Sequence, residues 1–334
     1  MITLDPQLAR ATSLQALLQA GVPEANAEVQ VDLLLEAELR GRASHGLQRL
    51  PRVIERIRNG VSDPITRGVS QWKGSALLDV DGGQGLGPVV AFEALAQIAE
   101  RAKSTGVALA AVRNCNHIGM LALYAERIAQ QGQVLIAMTT SEALVHPWGG
   151  RKALIGTNPI AIGVPAQPNP FVLDMATSLV SMGQIHDYAN RGQALRPGWA
   201  LDANGDPTLD ASAARDGAIA PFGEAKGYAF GLAIEVLVAS LTASAFGTDV
   251  KGTLDSTHPC NKGDLFIVIE PAHRLSEQVS QYLQAIRDSE PANPDRPVLV
   301  PGDRALGVRQ RHLERGVELP VSVWQRIQAL ANPQ

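Results

Sequence analysis

Groups able to move a proton and hold an anion lie close together early in the chain, in Ala43-Ser44-His45-Gly46-Leu47-Gln48-Arg49. If this stretch is helical, His45 and Arg49 stand four apart and share one face. A guanidinium grips a carboxylate through two parallel hydrogen bonds. An imidazole can pass a proton to a carbonyl oxygen as it becomes an alcohol, and take it back in reverse. The pair therefore suits a substrate with a carboxylate next to a carbonyl or hydroxyl carbon. Ser44 would orient the imidazole or cap the helix. Arg40, Arg42, Arg52, Arg56 and Arg58 surround the pair, opposed only by Glu55. A solvated basic helix with a surface histidine would show the same pattern.

Four further segments carry polar groups at places where ligands collect. Asn114-Cys115-Asn116-His117-Ile118-Gly119-Met120 follows an apolar run, Val107 to Val112, and precedes a helical one. Such a strand-to-helix turn offers unpaired N–H groups to an anion, or is simply a capped turn. His146-Pro147-Trp148-Gly149-Gly150-Arg151-Lys152 runs into Gly156-Thr157-Asn158-Pro159, a cationic loop or a plain connector. Asp174 closes the strand-like Phe171 to Asp174 and would face a ligand or cap a helix. Lys226, beside Gly227 at the start of an apolar helix, would meet an anion or stand in water.

The elements that must position these groups read as α/β. Helices are expected over Ala25 to Leu39 and from Ser44 to about Asn59-Gly60, with Pro51 kinking the second or marking its true start. Strands Ala76 to Val80, Val107 to Val112, Val134 to Thr139, Ala161 to Val164, Phe171 to Asp174 and Leu265 to Ile269 alternate with helices Pro88 to Ser104, Met120 to Gln131 and Lys226 to Leu241. Helices also read over Arg274 to Arg287 and Val321 to Ala331. Tyr228 to Gly247 holds one charge, Glu235, and is long enough to cross a bilayer. No second span and no flanking anchors accompany it, so a buried helix of a soluble core is expected, and no membrane.

Several classes drop out. Gly83-Gln84-Gly85-Leu86-Gly87-Pro88 breaks the GxGxxG pattern, and Walker A, HExxH and GxSxG sequences are absent. The seven histidines lack metal-ligand spacing, so no metal is expected. A net charge of −4 and only four Trp, four Tyr and six Phe argue against nucleic acid as a partner. Cys115 and Cys260 read as free thiols in a reducing cytoplasm, and the N-terminus shows no signal-peptide pattern.

Taken in order, SHGLQRLP (44–51), NCNHIGMLALYAERIA (114–129), HPWGGRKALIGTNPIAIGVP (146–165), VLDMATS (172–178) and PFGEAKGYAFGLAIEVL (221–237) resemble the malate/L-lactate dehydrogenase family. That resemblance implies a non-Rossmann mixed sheet that binds NAD or NADP, with helical terminal segments packed together. It implies residues 1–74 as an N-terminal segment, 75–270 as the cofactor domain and 271–334 as a C-terminal segment. It also implies a homodimer in which one chain's N-terminal part nears its partner's cofactor. Carried over motif by motif, it casts His45 as proton donor and acceptor with Ser44 beside it, Arg49 as carboxylate clamp and Thr157 as a substrate contact. His117, Ile118, Gly119, Met120, Leu121, Asp174, Met175, Ala176, Lys226 and Gly227 fall at the cofactor, and Gly302 and Arg304 match its C-terminal contact more weakly. The implied reaction is hydride transfer between the cofactor and C2 of a 2-hydroxy or 2-oxo acid, of malate, lactate or (2R)-3-sulfolactate type. Cyclic-imine reductases of the family carry an Asp after the glycine that follows DMATS. Here Gln184 follows Gly183, with Asp187 nearby, which favours alcohol over imine chemistry.

Overall fold

The computed structural model describes residues 1–332. The chain begins with β1 (Ile2–Leu4) and α1 (Pro6–Gln19). Asp5 starts α1 by accepting the N–H groups of Gln7 at 2.7 Å and Leu8 at 3.1 Å. After Gly21-Val22-Pro23 comes α2 (Glu24–Leu39), apolar around most of its circumference. Its Val31, Leu34 and Leu35 join the terminal lobe's core, while Leu33 and Ala37 join the core of the sheet. This helix is the beam linking the two.

The continuous helix expected from Ser44 does not form. Ala43–His45 and Leu47–Arg49 are single 3-10 turns separated by extended Gly46, and α3 (Leu50–Arg58) begins only then. Pro51 therefore sits in the first turn of α3, where its missing N–H costs nothing.

The middle of the chain builds one seven-stranded sheet. In chain order come β2 (Val69–Lys73), β3 (Leu77–Asp81), α4 (Gly87–Thr105), β4 (Val107–Arg113), α5 (Ala122–Gln130), β5 (Val134–Thr139), β6 (Ile160–Val164) and β7 (Phe171–Met175). After them lie α6 (Met182–Asn190), the short pair β8 (Ala200–Leu201) and β9 (Ala218–Ile219), α7 (Glu224–Thr242) and β10 (Asp264–Ile269). The sheet order is β2-β3-β4-β10-β5-β6-β7. Only β3 and β4 run parallel, joined through α4; the remaining neighbours are antiparallel. The mixed sheet is therefore quite unlike an all-parallel dinucleotide fold. Late-arriving β10 takes the centre because its run of Leu265, Phe266, Ile267, Val268 and Ile269 is apolar on both faces. Helices α4 and α5 cover one face and α7 the other.

The chain ends with α8 (Ser276–Arg287), α9 (Asp303–Arg315), β11 (Val317–Leu319) and α10 (Val321–Ala331). Strand β11 pairs with β1, and α10 packs on α1 and α3. Helix α8 goes elsewhere: its Val279, Leu283 and Ile286 pack against Ala166 and Phe171 beside the sheet's β7 edge. The segment from 271 onward thus serves two bodies.

Helix α7 departs from the buried helix expected of it. One face packs on the sheet through Ile234 and Val238. Its buried Glu235 accepts the backbone N–H groups of Gly156 at 3.0 Å and Gly247 at 2.5 Å, tying the helix to two loops. The opposite face leaves Phe230, Val236, Leu237 and Leu241 each more than two-fifths exposed.

Phe266 is fully buried at the sheet's centre, with its ring 5.8 Å from that of Tyr124. Phe266→Ala should lower unfolding free energy by about 3–5 kcal/mol, read from the urea midpoint.

Candidate active site

The broken segment after α2 forms one wall of a cleft of about 290 Å³. Ser44, His45 and Arg49 line it, facing His117, Gly119, Met120 and Leu121 from the β4–α5 connection, Thr157 ahead of β6, and Asp174, Met175 and Ala176 at the end of β7. Residues more than a hundred positions apart thus meet where several strands end.

Short contacts set each group. The Ser44 hydroxyl lies 2.9 Å from His45 Nδ1, and His45 Nε2 has no hydrogen-bond partner among the described residues. Arg49 donates through Nε to the Ser44 carbonyl at 2.7 Å, which leaves its two terminal nitrogens free to fork around an anion. His117 Nδ1 accepts the Gly119 N–H at 3.0 Å, so the neutral ring carries its proton on Nε2. Its ring centre is 5.4 Å from that of His45. Gly119 has a φ of +74°, and a side chain there would strike Leu33 of α2. Asp174 accepts the Ala122 N–H at 2.8 Å and so closes the start of α5. Thr157 accepts Thr177 N–H at 2.8 Å through its carbonyl, while its hydroxyl lies 3.2 Å from that of Ser141.

Electrostatics keep the imidazole uncharged. Burial, then Arg49 and Arg42, pushes the His45 pKa down to about 3. Burial, followed by Arg49 and His45, also holds His117 well below its ordinary value. Arg49 falls to about 10 through burial and Arg52, partly offset by Glu142, and stays cationic at neutral pH. The cleft therefore presents a proton acceptor beside a fixed positive charge.

A second cavity, of about 260 Å³, shares Arg42, Met120 and Asp174 with the first and runs on to Gly302 and Arg304 at the start of α9. The two cavities adjoin through these shared residues. Arg304 is exposed with no carboxylate within 4 Å among the described residues, as a phosphate contact would require.

Other expected positions fall outside. Ile118 is buried behind the wall, its carbonyl taking the Tyr124 hydroxyl at 2.5 Å. Lys226 is exposed on the first turn of α7 and Gly227 is packed on the Phe222 carbonyl; neither lines either cavity. Arg151 pairs with Asp206 at 2.6 Å on the surface, so the cationic loop contributes only its Thr157 end. Arg56 is buried and holds Asn116 at 2.8 Å and the carbonyls of Asp255 and His258 at 2.8 and 3.0 Å. Arg40 is spent on Glu36 and Glu126. Gln184 is exposed, and Asp187 pairs with Arg191 at 3.0 Å, away from His45. The residue patterns did not reveal Glu142, Thr253 and Leu254, which also line the cleft. Glu142 accepts the Thr253 and Leu254 N–H groups at 2.7 and 2.8 Å across 111 and 112 residues, with no local signal in either segment.

A profile described as malate/L-lactate dehydrogenase matches residues 4–328. The chain belongs to that family. A crystal structure of a dehydrogenase from Sinorhizobium meliloti is 51% identical, with a TM-score of 0.96, covering 99% of this chain and 98% of that one. The sulfolactate dehydrogenase of Methanocaldococcus jannaschii superposes with a TM-score of 0.93 at 33% identity, covering 99% and 97%. A (2R)-3-sulfolactate dehydrogenase (NADP(+)) from Chromohalobacter salexigens is 35% identical, covering 97% of this chain and 96% of that one. As a member of this family the chain is an oxidoreductase that uses a nicotinamide cofactor.

The lowered His45 pKa has a measurable consequence. In the ligand-free protein its imidazole should titrate near pH 3, not 6.5. The unfolded chain binds this proton first, so the His45 contribution to stability is complete above about pH 6.5 and is lost as pH falls toward 3. An unreactive carboxylate that occupies Arg49 should raise the NMR titration midpoint; an unchanged midpoint would separate the two residues.

Proposed function

We propose that this chain interconverts a small 2-hydroxy acid and its 2-oxo acid, with His45 moving the proton and Arg49 holding the carboxylate. The observation that carries this reading is the open fork of Arg49 in one cleft with the free Nε2 of neutral His45. A nicotinamide, when bound, supplies the hydride acceptor or donor. His117, Gly119, Met120, Leu121, Asp174, Met175 and Ala176 would hold its reactive end, and Gly302 and Arg304 its phosphates. Arg49 draws the carboxylate in and thereby cancels the charge that most opposes protonation of His45. His45 Nε2 then takes the hydroxyl proton of the substrate, while Ser44 steadies Nδ1 and Thr157 offers its hydroxyl to the substrate. In the reverse direction the imidazolium gives the proton back.

Arg42 and Arg49 line the cleft beside the carboxylates of Glu142 and Asp174. The sulfolactate named for two similar proteins favours a substrate with a second anionic group, such as malate or (2R)-3-sulfolactate. A panel of lactate, malate, (2R)-3-sulfolactate and Δ1-pyrroline-2-carboxylate, each assayed with NAD and NADP species, tests the reading. Turnover of the cyclic imine alone would replace it. His45→Ala should reduce kcat by roughly 10²–10⁴-fold, and near-normal turnover would remove His45 from the chemistry. Arg49→Lys should raise KM for the acid by roughly tenfold or more, because an ammonium cannot make the fork.

The working form in this proposal is a cytoplasmic homodimer. The apolar outer face of α7 supports the dimer, because monomers rarely leave so contiguous an apolar face in water. Leu237→Asp, on that exposed face, should convert dimer to monomer in light scattering without unfolding the chain.

A further inference from the structure

We infer that Glu38 is the positioning residue of the catalytic segment: its carboxylate, rising from the last turn of α2, fixes the backbone between His45 and Arg49. The inference rests on the function proposed above for those two residues.

The segment lacks the means to hold itself. His45 N–H bonds the Arg42 carbonyl at 2.8 Å, Gly46 N–H that of Ala43 at 2.9 Å, and Arg49 N–H that of Gly46 at 3.0 Å. Leu47 N–H has no backbone acceptor among the described residues, because extended Gly46 breaks the helical ladder at that point. Its partner is Glu38 Oε2, at 2.9 Å. Leu47 is fully buried, so water cannot take over that bond. The same carboxylate oxygen occupies the space a side chain at residue 46 would need, and Glu38 Cδ stands 2.9 Å from the position of that added carbon. Glycine at 46 and the carboxylate at 38 are thus one steric unit.

Glu38 is a costly choice for packing alone. It is 4% exposed and has no cationic partner among the described residues. By contrast Glu36, two residues earlier, is bound by Arg309 at 2.7 Å and Arg40 at 3.1 Å. Burial pushes Glu38 up to about 7, with only the Leu47 N–H pulling the other way. An apolar residue or a glutamine would cost less. Among the described residues, the sole side-chain hydrogen bond of Glu38 goes to the segment that carries His45 and Arg49.

The test uses Glu38→Ala, Glu38→Gln, Gly46→Ala and the double variant Gly46→Ala/Glu38→Ala in the full chain. With the 2-hydroxy acid that the wild type turns over, Glu38→Ala should lower kcat roughly 10- to 100-fold and raise the KM of the acid severalfold, as expected when reacting groups drift by about an ångström. Affinity for NAD(P)H, read by fluorescence, should not change. Glu38→Gln keeps an oxygen for Leu47 N–H and should recover most of kcat. Gly46→Ala should be damaging in the wild-type background and markedly less so once Glu38 is alanine. The ¹⁵N resonances of the His45 imidazole, recorded without turnover, should shift or broaden in Glu38→Ala and stay near wild type in Glu38→Gln. Wild-type kcat and KM in Glu38→Ala, equal damage from Ala and Gln, or strict additivity of the 38 and 46 changes would overturn the inference. Loss of wild-type turnover across the whole panel would instead defeat the proposed reaction, and the imidazole resonances would still decide the role of Glu38.

Discussion

A single 3-10 turn makes one backbone hydrogen bond and cannot hold its own shape. Two such turns in series carry Ser44, His45 and Arg49, and the proposed chemistry depends on their being held from outside. Arg49 bonds back to Ser44, α2 supplies the floor, and α3 carries the chain away. Helix α2 can serve as that floor because it belongs to both cores at once. A shift of the terminal lobe against the sheet would therefore move His45 and Arg49 together, relative to the strand ends opposite.

The cleft is electrostatically biased before any ligand arrives. Arginine side chains and burial act in the same direction on His45 and His117, so both rings sit neutral beside a persistent cation. In the proposed function this arrangement favours an anionic substrate. A neutral alcohol would meet a competent proton acceptor but would leave the Arg49 fork unfilled and the opposing charge in place. In the proposed reaction Arg49 would both draw in the acid and, with burial and Arg42, set the protonation of His45.

The elements legible in the sequence are those with an internal reason to exist. Strand β5 and helix α10 fall where apolar spacing puts them, and α4, β4 and β10 agree within a residue or two because their buried faces are long apolar runs. Helix α9 escaped because none of its residues is fully buried, and β1 and β11 because each has meaning only in the other's presence. The same division runs through the site. Ser44, His45, Arg49, Thr157 and Asp174 stand in recognisable local motifs. Arg56 looked like part of an anion-binding patch and is instead a buried staple, since spacing cannot show that backbone carbonyls some two hundred residues away saturate its guanidinium. Glu142 and Thr253 meet only through the tertiary fold.

The Gln184 departure gains its meaning from the same geometry. Gly183 lies against Ser44, with an added side-chain carbon 3.4 Å from Ser44 Cβ. The next residue is a neutral, exposed Gln184, and the nearest carboxylate in sequence, Asp187, is committed to Arg191. No anion from α6 offsets the burial and the arginines that hold His45 neutral. The neutral ring is open to a proton at Nε2, and a carboxylate bound at Arg49 would raise its affinity for one.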